Sequence, residues 1–185
     1  MLRLSESSRN AAIISASIVV AAAILGAAQA ATDTIYRYSS PKTGFYAIDN
    51  TDLSPDGTNS LAYINEWDVA LKPDDGENGC FNAGVHLPHG AVITQVRVFY
   101  EATAGAQTSF VRIERKAYST GVNDVVAEGP LPNSADRVGV NIPFNASFTT
   151  VNNGGFSYGF GVCLRNDTDM FYAARIRYTY ETAGD

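Results

Sequence analysis

Apolar and polar residues alternate with a period of two along most of this chain, and runs with helical spacing are nearly absent after residue 30. The clearest run is residues 92–101, VITQVRVFYE. As a strand it places Val92, Val96, Val98 and Tyr100 on one face and Gln95, Arg97 and Glu101 on the other. A short loop with Gly105 leads to residues 110–118, FVRIERKAY, where Val111, Ile113 and Ala117 oppose Arg112, Glu114 and Lys116. Two alternating runs across a short polar loop predict a β-hairpin. Arg115 falls on the apolar side, which predicts a sheet end or an acidic partner for it. The pattern recurs later. Tyr158, Phe160, Val162 and Leu164 alternate with Gly159, Gly161 and Cys163. After the turn 166–169, Tyr172, Ala174, Ile176 and Tyr178 oppose Arg175, Arg177 and Thr179. This predicts a second hairpin. The predicted core contains Val96, Val98, Val111, Ile113, Phe160, Val162, Ile176 and Tyr178. Arg97, Arg112, Glu114, Arg175 and Arg177 are predicted to reach solvent.

Shorter strands are predicted at 138–144 and 148–151, and at 35–38 and 45–48 around a turn at Pro41–Gly44. Residues 61–71 fit either a strand or a helical turn around Trp67. About eight to ten one-sided strands with polar turns predict an all-β fold, an antiparallel β-sandwich, with the jelly roll as one arrangement of it. A closed barrel is the alternative. Cys163 lies on the glycine side of its strand, so a bond from it is expected to reach a covering segment and not to cross the core.

Only the start of the chain departs from this pattern. Arg3 and Arg9 precede an uncharged stretch, residues 11–28, and Ala28-Gln29-Ala30 follows as a small-x-small cleavage site. That order predicts a secretory signal peptide over 1–30, helical while intact, and one domain over 31–185. A retained membrane anchor is the competing reading. The expected location is therefore outside the cytoplasm, secreted or periplasmic.

Charge narrows the partners. The chain carries 13 basic and 19 acidic residues; without Arg3, Arg9 and Glu6, 11 remain against 18, a net −7. No basic run occurs, so neither nucleic acid nor a membrane surface is expected as a partner after cleavage. The two cysteines, Cys80 and Cys163, predict one disulfide in an oxidising compartment.

Candidate chemistry is sparse. Asp52-x-Ser54-x-Asp56-Gly57 has the alternation that opens a calcium loop, but the twelfth position is Tyr63 where a bidentate acid belongs. His86 and His89 bracket Leu87-Pro88 with no third ligand nearby, which argues against zinc. No nucleophile elbow is present, and no enzyme activity or cofactor is implied. The remaining resource is aromatic. Trp67, with Tyr36, Tyr38, Tyr46 and Tyr63, lies in loop-rich sequence, where flat rings can stack on a sugar while Asp49 and Asp52 bond its hydroxyls. Core burial is the competing use of the same rings.

Residues 80–100 carry a resemblance. Cys80-Phe81, Val85-His86-Leu87-Pro88-His89-Gly90-Ala91-Val92-Ile93 and Val96-Arg97-Val98-Phe99-Tyr100 resemble a segment, close to L-P-x-G-A-x-V, that precedes a β-hairpin in many uncharacterised secreted bacterial proteins. In this chain Thr103-Ala104-Gly105-Ala106 replaces the usual acidic or Asn-containing turn. The resemblance implies an exported bacterial β-sandwich and carries no activity with it. The expected role is a binding module, with an extracellular glycan or envelope component as its partner. A structural or envelope-associated protein without a small-molecule site is the alternative, and an exported hydrolase the weaker one. N-terminal sequencing of exported material should find Ala31 first; an intact Met1 held in the membrane fraction would contradict the signal-peptide reading.

Overall fold

The structure is a computed structural model that describes residues 36–57, 62–65, 70–74, 78–103 and 108–183. The chain divides into Met1–Ile35 and Tyr36–Asp185. The signal-peptide assignment lies outside the described residues.

Among the described residues eleven strands form two antiparallel sheets. They are β1 (Tyr36–Asp49), β2 (Ser54–Pro55), β3 (Tyr63–Asn65), β4 (Leu71–Pro73), β5 (Gly79–Val85), β6 (Val92–Ala102), β7 (Phe110–Ala117), β8 (Asn123–Pro130), β9 (Ser134–Ile142), β10 (Phe156–Leu164) and β11 (Met170–Ala183). One sheet runs β3-β4-β11-β6-β9, with β1 also paired to β11; the other runs β2-β5-β10-β7-β8. The inner faces enclose one core, and Phe160 of β10 meets Phe171 of β11 across it at 5.6 Å between ring centroids. The fold is the predicted antiparallel β-sandwich.

Both predicted hairpins are corrected. β6 and β7 lie in different sheets, and so do β10 and β11. Each short loop carries the chain from one sheet to the other. Alternation shows that a strand has one buried face; it does not show whether the next strand pairs beside it or faces it across the core. Among the described residues, consecutive strands pair antiparallel at β3–β4 and at β7–β8, the latter closed by a turn with Gly121 at φ 68°. The polar sequence of β8 gave no strand signal. Residues 36–49 form one strand with a register shift between Arg37 and Lys42, where two strands around a turn were expected. The predicted strand at 148–151 is instead a 3-10 turn at Ala146–Phe148 followed by an isolated bridge at Thr150.

Two bulges explain where the period-two reading slips. Opposite β11, Ile93 pairs with Tyr178 and Gln95 with Arg177, so Thr94 is the extra residue. Its hydroxyl donates to the Arg177 carbonyl at 3.1 Å. Beyond the bulge the parity reverses: Ile93 is buried and Val92 exposed. On β11, Phe171 pairs with Tyr100 and Ala173 with Phe99, leaving Tyr172 extra. Phe171 takes the core position expected of Tyr172, whose hydroxyl donates to Glu101 Oε1 at 2.6 Å. Burial, then that bond, holds the Tyr172 hydroxyl above its ordinary pKa. Val96, Val98, Val111, Ile113, Phe160, Val162 and Ile176 are buried as predicted. Tyr178 is half-buried and packs on the core over Gly44, where an added Cβ would lie 2.4 Å from its ring. Arg175 and Arg177 are exposed; Arg97, Arg112 and Glu114 are half-buried.

The β6–β7 and β10–β11 crossings meet at Asp169, which is 1% exposed. Its Oδ1 accepts from the Thr103 N–H at 2.8 Å. Its Oδ2 accepts from the Ser109 hydroxyl, from the Arg165 N–H at 3.3 Å and from Asn166 Nδ2 at 3.3 Å. Thr103 and Ser109 bound the β6–β7 crossing; Arg165 and Asn166 belong to the β10–β11 crossing. One carboxylate therefore ties both. Asp169→Ala removes the acceptor of the buried Ser109 hydroxyl and of the Thr103 N–H and Asn166 amide. A stability loss of about 3 kcal/mol is expected in urea denaturation; a loss under about 1 kcal/mol would show that water replaces the carboxylate.

Candidate functional site

β10 has two very unequal faces. Tyr158, Phe160, Val162 and Leu164 point into the core, while Ser157, Gly159, Gly161 and Cys163 form the outer face. Antiparallel register sets their neighbours. Gly161 lies between Asn82 of β5 and Arg112 of β7, Gly159 between Gly84 and Glu114, and Cys163 between Cys80 and Phe110. The two glycines form the floor of a trough of about 390 Å³ on the outer face of the five-stranded sheet. Asp56 and Asn82 line one side, and Phe110, Arg112, Glu114 and Lys116 the other.

Neither floor glycine is demanded by its backbone. The positive-φ glycines are Gly57, Gly90 and Gly121, and a Cβ at Gly159 or Gly161 would meet only a carbonyl oxygen at 3.7 Å, an ordinary contact. Glycine inside a strand costs roughly 0.5–1 kcal/mol relative to alanine and marks places where something approaches the backbone closely. Here the approach is open to solvent.

The walls are held in place. Arg112 donates through Nη1 to Glu114 at 3.0 Å and through Nη2 to Glu128 at 2.7 Å. The Glu128 bond is the main cause that raises the Arg112 pKa. The guanidinium carbons of Arg112 and Arg165 stand 5.8 and 5.3 Å from the Phe110 ring centroid. Arg115 meets the expectation of an acidic partner: Nε donates to Asp124 at 2.9 Å, and its guanidinium carbon lies 4.0 and 4.2 Å from the Phe148 and Phe156 ring centroids. Among the lining residues Arg112 and Lys116 balance Asp56 and Glu114. The trough thus offers hydrogen-bonding groups and an aromatic ring with little net charge.

The disulfide Cys80–Cys163 closes one end. It joins directly paired residues of neighbouring strands, Cα to Cα 4.0 Å, on the outer face. It does not cross the core, as expected, but it joins the neighbouring strand β5 of the same sheet where a covering segment was expected. Cys80→Ser with Cys163→Ser should lower stability by several kcal/mol, at most about 5, measured by denaturation with and without reductant; unchanged stability would make the bond dispensable.

Of the aromatic residues singled out by sequence, Tyr38, Tyr46 and Tyr63 lie outside the trough. Trp67 is outside the described residues, as is the side chain of Tyr36. Tyr38 stands edge-on to Tyr180 at 5.6 Å, with Lys42 Nζ 5.4 Å from its ring centroid. Tyr46 is half-buried against the core and donates to the Gly84 carbonyl at 3.3 Å. Tyr63 is exposed and stands edge-on to Phe81 at 5.4 Å. Asp49 and Asp52 form a capping box: Asp49 accepts from the Thr51 N–H at 3.1 Å, and Asp52 accepts from the Asp49 N–H at 2.8 Å. Both carboxylates face their own backbone. Ser54 lies in β2, and Asp56 lines the trough. Among the described residues no three acidic, histidine or cysteine side chains gather as a metal site. His89 Nδ1 accepts from the Asn153 N–H at 3.1 Å.

Sequence reasoning noted the glycines of β10 but not their consequence. The signal was present: large side chains on one face of a strand and none on the other.

No family model matches the chain, and no curated protein matches it. Solved structures overlap it weakly. A xylan-binding module, CBM15, is 10% identical with a TM-score of 0.47, over 77% of this chain and 100% of that one. The Podospora anserina GH26-CBM35 β-(1,4)-mannanase is 12% identical at 0.36, over 80% of this chain and 29% of that one. Infectious bursal disease virus, strain Gx, is 12% identical at 0.32, over 76% and 33%. Likenesses this weak, reaching from sugar-binding modules to a virus, leave function to the chemistry of the site.

Proposed function

We propose that this chain is an exported, non-catalytic binding domain that takes an uncharged glycan in the trough over Gly159 and Gly161. The observation that carries the reading is that bare floor. Two glycines with ordinary backbone and free space above them keep a strand's outer face open at a cost in strand stability. The walls suit a polyol. The Asn82 amide and the paired Arg112 and Glu114 present donors and acceptors at fixed positions, and Phe110 presents an apolar ring. Balanced charge favours a neutral ligand over an ion. A disulfide between exposed strands suits an oxidising compartment, which supports export.

The test is a glycan array on the mature domain, repeated with Gly161→Trp. The indole points to solvent, so the variant should keep its melting temperature within a few degrees. It should lose at least about tenfold in affinity for whatever glycan the wild type selects, because the floor is filled. Undiminished binding by a folded Gly161→Trp protein would remove the trough from the function.

A further inference from the structure

The sequence has no basic run, yet the fold assembles one. On the outer face of the six-stranded sheet, Arg175 of β11 is the direct cross-strand partner of Arg97 of β6. Arg177 lies two residues along β11, roughly 7 Å away at strand spacing. Their rows read Ala47–Arg175–Arg97–Asn141 and Phe45–Arg177–Gln95 across β1, β11, β6 and β9, and neither row contains an acid. Asp49 lies one row beyond, turned to its own backbone.

None of these three arginines forms an ion pair among the described residues; the pairs present belong to Arg112 and Arg115 on the other sheet. Arg97 Nε is buried without a hydrogen-bond partner. Gly139 leaves the room in which that guanidinium lies: a Cβ there would stand 2.6 Å from Nε. Like charges placed directly opposite destabilise a sheet, so the folded domain alone gains nothing from the arrangement. Rings flank it. The Arg175 guanidinium carbon is 5.1 Å from the centroid of Phe45, which is 57% exposed, and that of Arg97 is 5.5 Å from the Phe99 centroid.

We propose that this face is a second binding site, for a carboxylated polysaccharide. Guanidinium forks match planar carboxylates in paired hydrogen bonds. Phe45 offers an apolar surface to the C–H face of a sugar ring. The flat sheet suits an extended polymer whose successive charges meet Arg175, Arg97 and Arg177. The domain's net negative charge does not prevent this, because at physiological salt charges beyond about 8 Å are largely screened. The site is on the opposite sheet from the trough and does not depend on it.

The test is calorimetric titration with polygalacturonate and with its fully methyl-esterified form, which has the same backbone and no charge. The wild type should bind the acid form at least about tenfold more tightly, with affinity falling as salt rises. Arg175→Gln with Arg177→Gln should remove that preference while melting no lower than the wild type, since a like-charge contact is relieved. Arg177→Gln alone should give a partial loss, and Gly161→Trp should leave the preference intact. Equal binding of the two polymers, no binding, or an undiminished preference in the double variant would overturn the proposal. So would arginine-dependent capture by phosphatidylglycerol vesicles, or arginine-dependent dimerisation, without polygalacturonate binding.

Discussion

Two of the crossings between sheets, β6–β7 and β10–β11, meet at one buried carboxylate, and the alignment of the strands they join depends on that junction. Asp169 accepts from Thr103 and Ser109 on one crossing and from Arg165 and Asn166 on the other. Ser109 adds a second link, its hydroxyl accepting from the Arg165 N–H at 2.8 Å and its carbonyl from the Leu131 N–H at 2.7 Å. A carboxylate shielded from water is tolerated because donors surround it. By holding the start of β7 beside the end of β10, the junction sets which residues of the two strands pair. That register puts Arg112 opposite Gly161 and Glu114 opposite Gly159. A slip of one residue would turn the glycine face inward and the phenylalanine face outward. The trough and the core are two sides of one alignment.

The disulfide works at the same end of β10. It joins Cys163 to Cys80 beside Phe110, where the trough ends. Cross-linked on one edge and clamped to β7 on the other, β10 has little freedom to shift. The Arg112 guanidinium, held by Glu114 and Glu128, fixes the wall in turn. The site is therefore built mainly on strands, with Asp56 as its loop contribution.

How much of this was legible in sequence depended on which interactions are local. Side-chain alternation is local, so the all-β class and most core positions could be read: Val96, Val98, Val111, Ile113, Phe160, Val162 and Ile176 are buried as their spacing predicts. Partner choice between strands is not local. A short polar loop serves a hairpin or a crossing equally well, and the β6–β7 and β10–β11 crossings were read as hairpins. The bulges at Thr94 and Tyr172 shift parity without a sequence mark. β8 was missed because Asn123-Asp124 and Glu128-Gly129-Pro130 dilute its apolar centre. Of the aromatic set proposed from loop-rich sequence, Tyr38, Tyr46 and Tyr63 do not line the trough, and the residues that do, Asp56 apart, come from strands. The arginine face was invisible because Arg97 and Arg175 are far apart in sequence and become neighbours only through β6–β11 pairing.

The central claim is that the bare floor of β10 is a ligand surface. It is tested most directly by backbone-amide NMR of the mature domain titrated with a neutral oligosaccharide selected from an array. The amides of Asn82, Arg112, Gly159 and Gly161 should shift together and saturably, with those of Ala47, Arg97 and Arg175 unmoved. Shifts confined to residues outside the trough, with Gly159 and Gly161 unchanged, would contradict the account.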